Sequence, residues 1–269
     1  MKNVKIIVII FILIYVSCAP VDAAFPRQRL QLIPFRTSSE LLLKAVVLNP
    51  VTITQIDGTS AQVSYANLYG IRQLQDAVAA ISQQFGKTYY GIGFTRFGND
   101  NYNENTISAL FGMLIQNAGR VGIGLHGYQL AIDGYGEARS WGVDLGTRWR
   151  LTEKISWEIA YTNLNNPTIG ISKDPLPQQI YTAVHYHPVP QINSEFLLQQ
   201  NIRYLPQFGF GMEYQIFPWI AIAGNISTEP VKSSAGIHLH WHGMQIQYVF
   251  SFNASQLPAT HRFGVGFIL

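Results

Sequence analysis

The sequence predicts an all-β protein: a closed antiparallel transmembrane β-barrel of about 14 strands, preceded by a short N-terminal plug or periplasmic segment. Three observations lead there. The first is the C-terminal stretch, where Met244, Ile246, Tyr248, Phe250 and Phe252 occupy every second position and Gln245, Gln247 and Ser251 lie between them. After turn-rich residues 253–258, His261, Phe263, Val265, Phe267 and Leu269 alternate with Arg262, Gly264 and Gly266. Period-two patterning of this length means two antiparallel strands. An open sheet ending on such an aromatic strand would expose a sticky edge, and closure into a barrel removes that edge. The second observation is composition: 48% of residues are apolar and only 12% charged, with 15 Phe, 14 Tyr and 23 Gly. Beyond the leader, no run reaches the roughly 18 apolar residues that a spanning helix requires, so the apolar content must reach lipid on strands. The third is the spacing of the turns, described below.

Residues 1–23 read as a secretory leader. Lys2 and Lys5 supply its basic region, residues 6–16 its apolar core, and Val21-Asp22-Ala23 its cleavage site. Tyr15-Val16-Ser17 is a poor lipoprotein context for Cys18, so the single cysteine is expected to leave with the leader. The mature chain then has neither disulfides nor thiolate metal ligands. Residues 24–60 form the plug or periplasmic segment. In it, Ser38 or Ser39 is expected to cap a short helix running through Glu40, Leu41, Leu42, Leu43, Lys44 and Ala45 and ending before Asn49-Pro50. Two placements suit this apolar helix: inside the barrel, or packed on its rim.

Residues 61–269 form the barrel. Its strands are expected at 61–71, 74–84, 88–97, 104–116, 120–132, 138–150 and 154–164, then 178–187, 191–201, 207–216, 219–226, 231–240, 244–253 and 259–269. An even count places both termini of the barrel on one side of the membrane. The intervening segments alternate between tight turns, such as Gly86-Lys87, Thr152-Glu153 and Phe217-Pro218, and longer loops, of which 165–177 is the longest. Outer-membrane barrels show this alternation of periplasmic turns and external loops. Only the external turn at Arg72-Gln73 breaks the rule.

Alternation assigns the faces. Trp141, Val143, Leu145, Thr147 and Trp149 face lipid, and Gly142, Asp144, Gly146, Arg148 and Arg150 face inward. The same rule sends Glu158, Gln191, Asn193, Glu195, Gln199, Glu213 and Gln247 inward. The polar residues expected to line the lumen are thus Asp144, Arg148, Glu158, Glu195, Glu213 and Gln247.

Few residues suggest chemistry. His185 with His187, and His238 with His240 and His242, are spaced so that each set shares one strand face, here the inner one. His238 and His240 are the candidate metal ligands, but spacing specifies no third ligand, so polar packing is the expected role and no cofactor is implied. No nucleophile elbow marks a serine for catalysis, so the chain does not read as an enzyme. A net charge of +3 is too small to indicate nucleic acid as a partner.

The segment ending at Asn49-Pro50, the Gly91-Ile92-Gly93-Phe94 strand running to Phe97-Gly98, the Asn101-Tyr102-Asn103-Glu104 loop and the closing Thr260-His261-Arg262 resemble the PorV/PorQ-type outer-membrane proteins. These in turn are similar to the FadL-like long-chain fatty acid transporters. The resemblance implies a fourteen-stranded barrel with an N-terminal plug in a bacterial outer membrane. It also implies passage of hydrophobic small molecules or, alternatively, a membrane anchor for exported proteins, as in a type IX secretion-like shuttle component. The implied partners are outer-membrane lipid, the barrel-assembly machinery, and a hydrophobic small molecule or an exported protein. The chain ends on Leu269 where the assembly signal is usually aromatic, which leaves Phe267 to serve that recognition.

Overall fold

A computed structural model describes residues 24–25, 34–115, 119–201, 205–228, 231–253 and 257–269; the expected leader lies outside the described residues. Among the described residues, sixteen strands follow one α-helix. They are β1 (Thr59–Asn67), β2 (Gln75–Phe85), β3 (Thr88–Gly98), β4 (Tyr102–Ile115), β5 (Gly119–Ile132), β6 (Gly136–Arg150), β7 (Ile155–Thr162), β8 (Thr168–Ile169) and β9 (Asp174–Pro175). The remainder are β10 (Gln179–Tyr186), β11 (Ile192–Asn201), β12 (Gln207–Phe217), β13 (Ile220–Ser227), β14 (Lys232–Trp241), β15 (Met244–Asn253) and β16 (Thr260–Ile268). All but β8 and β9 join one closed antiparallel barrel in chain order, and β1 seals it against β16 from Ser60↔Ile268 to Asn67↔His261. β8 and β9 pair with each other inside the 163–178 connection.

The alternation determines what each face meets. Along β7, Ser156, Glu158, Ala160 and Thr162 are buried, while Ile155, Trp157, Ile159 and Tyr161 face outward. On β16, Phe263 is 56% exposed while its neighbour Arg262 is buried. Apolar side chains cover the outside and polar ones fill the inside, the reverse of a water-soluble sheet and the arrangement a lipid solvent demands. Trp149, Trp219 and Trp241 stand exposed near the end that carries the chain terminus, as an interfacial aromatic girdle does. The protein is a membrane β-barrel. Among the described residues no helix is long and apolar enough to cross a membrane.

Two loop expectations change. β1 stops at Asn67, because Tyr69 adopts a left-handed conformation (φ 57°) within the 3₁₀ turn Leu68–Gly70. The connection therefore spans 68–74 and is not the tight turn expected at Arg72-Gln73. Conversely, β3 and β4 continue into the loop expected at 98–103 and β6 into that at 133–137, while β5 ends at Ile132 as expected; β4, β5 and β6 are 14, 14 and 15 residues long against 8 for β7.

Residues 34–58 of the N-terminal segment lie in the lumen. Helix α1 (Ser38–Val47) is capped by Thr37, whose hydroxyl accepts from Glu40 N. The cap is therefore neither Ser38 nor Ser39, and Ser39 is free to bond across the lumen to Gln245. Asn49 accepts from Val51 N and starts a 3₁₀ helix, Pro50–Gln55, with the proline at the position where a missing N–H costs nothing. Leu43, Val46 and Ile53 pack with wall residues Val78, Tyr89 and Leu110. Glycines in the wall permit this approach: a Cβ on Gly122 would lie 2.4 Å from Val51 N, and one on Gly93 2.6 Å from Val46.

Candidate functional site

The plug is tied to several strands. Glu40 of α1 pairs with Arg262 of β16 at 3.0 Å, and these side chains are 0% and 3% exposed. One turn later Lys44 meets Glu195 of β11 at 2.6 Å. Ser39 N and Oγ both donate to Gln245 Oε1 on β15 (2.9 and 2.6 Å), Asn193 Nδ2 donates to Pro34 O (2.7 Å), and Arg120 donates to Thr54 O. Charges this deeply buried persist because they are paired.

Three of the polar residues predicted for the lumen converge with His185, also expected on the inner face, and with Lys44 of the plug. Arg148 Nη1 donates to Glu158 Oε2 at 2.8 Å. His185 sits between the carboxylates of Glu158 (3.3 Å from Nε2) and Glu195 (3.4 Å from Nδ1), and Lys44 completes the group. Burial disfavours the Lys44 ammonium, but Glu195 and Glu158 outweigh it and hold its pKa above the ordinary lysine value. The plug is therefore fastened by a permanent charge. Lys44 was legible as the one cation on an apolar helix.

Asp144 belongs elsewhere. Its Oδ2 lies 3.0 Å from His126 Nε2, while Ser108 Oγ lies 2.8 Å from His126 Nδ1. His126 Nε2 makes no hydrogen bond of good geometry among the described residues. This serine, histidine and aspartate set escaped the sequence reading because its members lie on three strands. Ser108 is 0% exposed, so the set packs the interior and offers no surface to a substrate.

Glu213 approaches Arg36 at 3.6 Å, near the end that carries the chain terminus. Gln247 faces inward, and neither atom of its amide finds a hydrogen-bond partner among the described residues. Gln191, expected inside, is exposed in the turn before β11. His238 points inward with its ring 5.8 Å from Phe35, and His240 borders the same space. His242 does not share their face, because it lies in the β14–β15 turn with φ 47°. Just past β10, burial and then Arg36 push the His187 pKa down to about 4, so the imidazole is neutral at pH 7. Among the described residues no group of three His, Cys, Asp or Glu could hold a metal.

The two ends of the lumen differ. Near the chain terminus a half-open cleft of about 440 Å³ separates plug from wall, with Phe35 and Trp219 on one side and His187, His238 and His240 among its polar lining. The other mouth is closed by an apolar cluster of Phe25, Tyr128, Ile169 and Leu176. Phe25 N donates to Glu104 at 2.7 Å there, and the 163–178 loop is clipped down by Asn163, which accepts from Tyr128 Oη and donates to Pro177 O, both at 2.8 Å. Between the ends, the wall at β10–β12 carries an apolar patch on each face, the inner one bordered by His185, Glu195 and Gln199. Outside, Val184, Phe196, Phe208 and Phe210 line a groove of about 530 Å³, and inside, Leu48, Ala160, Tyr181, Ala183 and Leu197 form a cluster.

No protein-family model and no curated protein matches the chain. Solved structures do resemble it. The Pseudomonas putida toluene transporter TodX superimposes with a TM-score of 0.61 at 10% identity, covering 83% of this chain and 92% of that one. The Ralstonia pickettii toluene transporter TbuX gives 0.59 at 12% identity over 83% and 92%. A Pseudomonas aeruginosa FadL homologue gives 0.59 at 10% identity over 82% and 92%. At such identities the likeness establishes a shared fold.

Proposed function

We propose that this chain is a FadL-like barrel of a bacterial outer membrane that admits hydrophobic small molecules. The observation that carries the reading is the wall at β10–β12, where an apolar lumen cluster backs an apolar outer groove. A polar lumen repels an apolar solute, whereas here it would meet apolar side chains on both sides of the wall; because the β10–β12 ladder is continuous, passage into lipid requires that seam to part. The apolar mouth around Phe25 and Tyr128 is a fitting point of entry, and the polar cleft at the other end then faces the periplasm. The neighbours named as toluene transporters support an apolar cargo.

The test is uptake of toluene and of a long-chain fatty acid by cells that express the chain in place of their own hydrophobic channels. We expect faster uptake of at least one, and slower uptake when Ala183→Glu places a carboxylate in the inner cluster. Uptake no faster than in cells lacking the barrel would reject transport. A second reading, an anchor for exported proteins, is favoured by the height of β4–β6 above their neighbours.

A further inference from the structure

β6 pairs with β5 along nearly its whole length, from Ile132↔Gly136 to Gly119↔Trp149, but with β7 only from Leu145 to Arg150. A few bonds extend the second seam. Leu164 N donates to Val143 O, and the Asn165 amide accepts from Val143 N and donates to Trp141 O. These contacts show that Trp141 and Val143 direct their backbone groups toward β7. Residues two apart on a strand share that direction, so the N–H and C=O of Glu137 and Arg139 also face this side. No hydrogen bond among the described residues reaches them.

The usual protections of an edge are weak here. Residues 136–141 contain no proline, and their register is unbroken. Their two charges lie close together, with Arg139 Nη2 3.3 Å from Glu137 Oε2, so the strip is nearly neutral. Exposed Tyr135 (90%) and Trp141 (62%) flank it. Nor does spanning explain the height, since about 9 to 11 residues suffice to cross the hydrocarbon layer.

We propose that the free edge of β6 at residues 136–140 binds an extended segment of an exported polypeptide by β-augmentation. The guest strand would occupy the place that β7 leaves open, continuing an antiparallel ladder already built below it. Its inner face would meet the small Ala138 and Ser140, and its outer face the Glu137–Arg139 pair and Trp141, which favours small or β-branched residues alternating with polar ones. A second copy is a poorer fit. In one membrane its β6 would run the same way, so antiparallel pairing is closed to it. The inference is independent of transport.

The experiment uses the full chain refolded in phosphatidylcholine vesicles and two fluorescent peptides, (Thr-Val)₄ and the same peptide N-methylated at every residue, so that neither of its edges can pair. Anisotropy should report binding of the first and at least about tenfold weaker binding of the second. Arg139→Pro should weaken the first about tenfold, because it removes an N–H that the barrel does not use, whereas Arg139→Ala, which keeps that N–H and loses only the side-chain contact, should weaken it by about twofold at most. Failure of the proline variant to fold would leave the N-methylated peptide to decide. Equal binding of both peptides, no binding of either, or unchanged binding by folded Arg139→Pro would overturn the proposal. So would efficient disulfide dimers of Arg139→Cys in the vesicles, which would assign the edge to a second copy.

Discussion

Glu40 and Arg262 show what one residue can decide in this lumen. Their pair is enclosed at both ends, so removing the arginine strands a carboxylate where water cannot reach it. Arg262→Ala should destabilise the folded barrel by about 3 to 5 kcal/mol, whereas the double change Glu40→Leu, Arg262→Met should recover most of that loss. Urea titration followed by the gel-mobility shift of folded barrel reads both. On the opposite face of the same strand, Val265 is exposed to lipid. Val265→Arg should cost about 2 to 4 kcal/mol in vesicles, and His240→Arg, which borders the open cleft, should cost far less. Gln247, on the inner face of the adjoining strand, is an unsuitable comparison. It is 2% exposed, so a larger side chain there tests space as much as charge.

At the scale of elements, the plug and the 163–178 loop close the two ends by different means. The plug is bonded, and Lys44 is its link to the central charge cluster. Lys44→Ala would leave Glu195 without its closest cation and loosen α1, so we expect greater ion conductance across planar bilayers and faster uptake of small antibiotics, with the barrel still heat-modifiable. Unchanged conductance would mean that the other anchors hold the plug alone. The loop is packed: Ile169 and Leu176 are buried in the mouth while the tip from Gly170 to Lys173 is exposed. Trypsin added to intact cells should therefore cleave after Lys173 and spare Lys154 in the opposite turn. Cleavage at Lys154 instead would invert the orientation.

Over the whole molecule, the barrel was legible in the sequence because a strand writes its two faces into every second residue, and that signal is local. The strand expected at 244–253 is β15 to the residue, and Asp144, Glu158, Glu195, Glu213 and Gln247 are buried while Arg148 is half-buried. The pattern weakened where conformation ceased to be periodic. Tyr69, with its positive φ, ended β1 early, and Thr37 took the cap that Ser38 and Ser39 seemed equally able to supply. What alternation could not tell was which inward side chains meet. Glu40 finds Arg262 222 residues away and Lys44 finds Glu195 151 residues away. Ser108, His126 and Asp144 come together through the register of three strands, which no spacing in the chain records. The sequence by itself determined that the chain is a membrane barrel, since apolar and polar faces need no distant partner to be recognised. Only the tertiary structure decided that residues 34–58 fill the lumen, which charges fasten them, and that β6 stands clear of β7, because those outcomes depend on shear, closure and contacts between residues far apart in the chain.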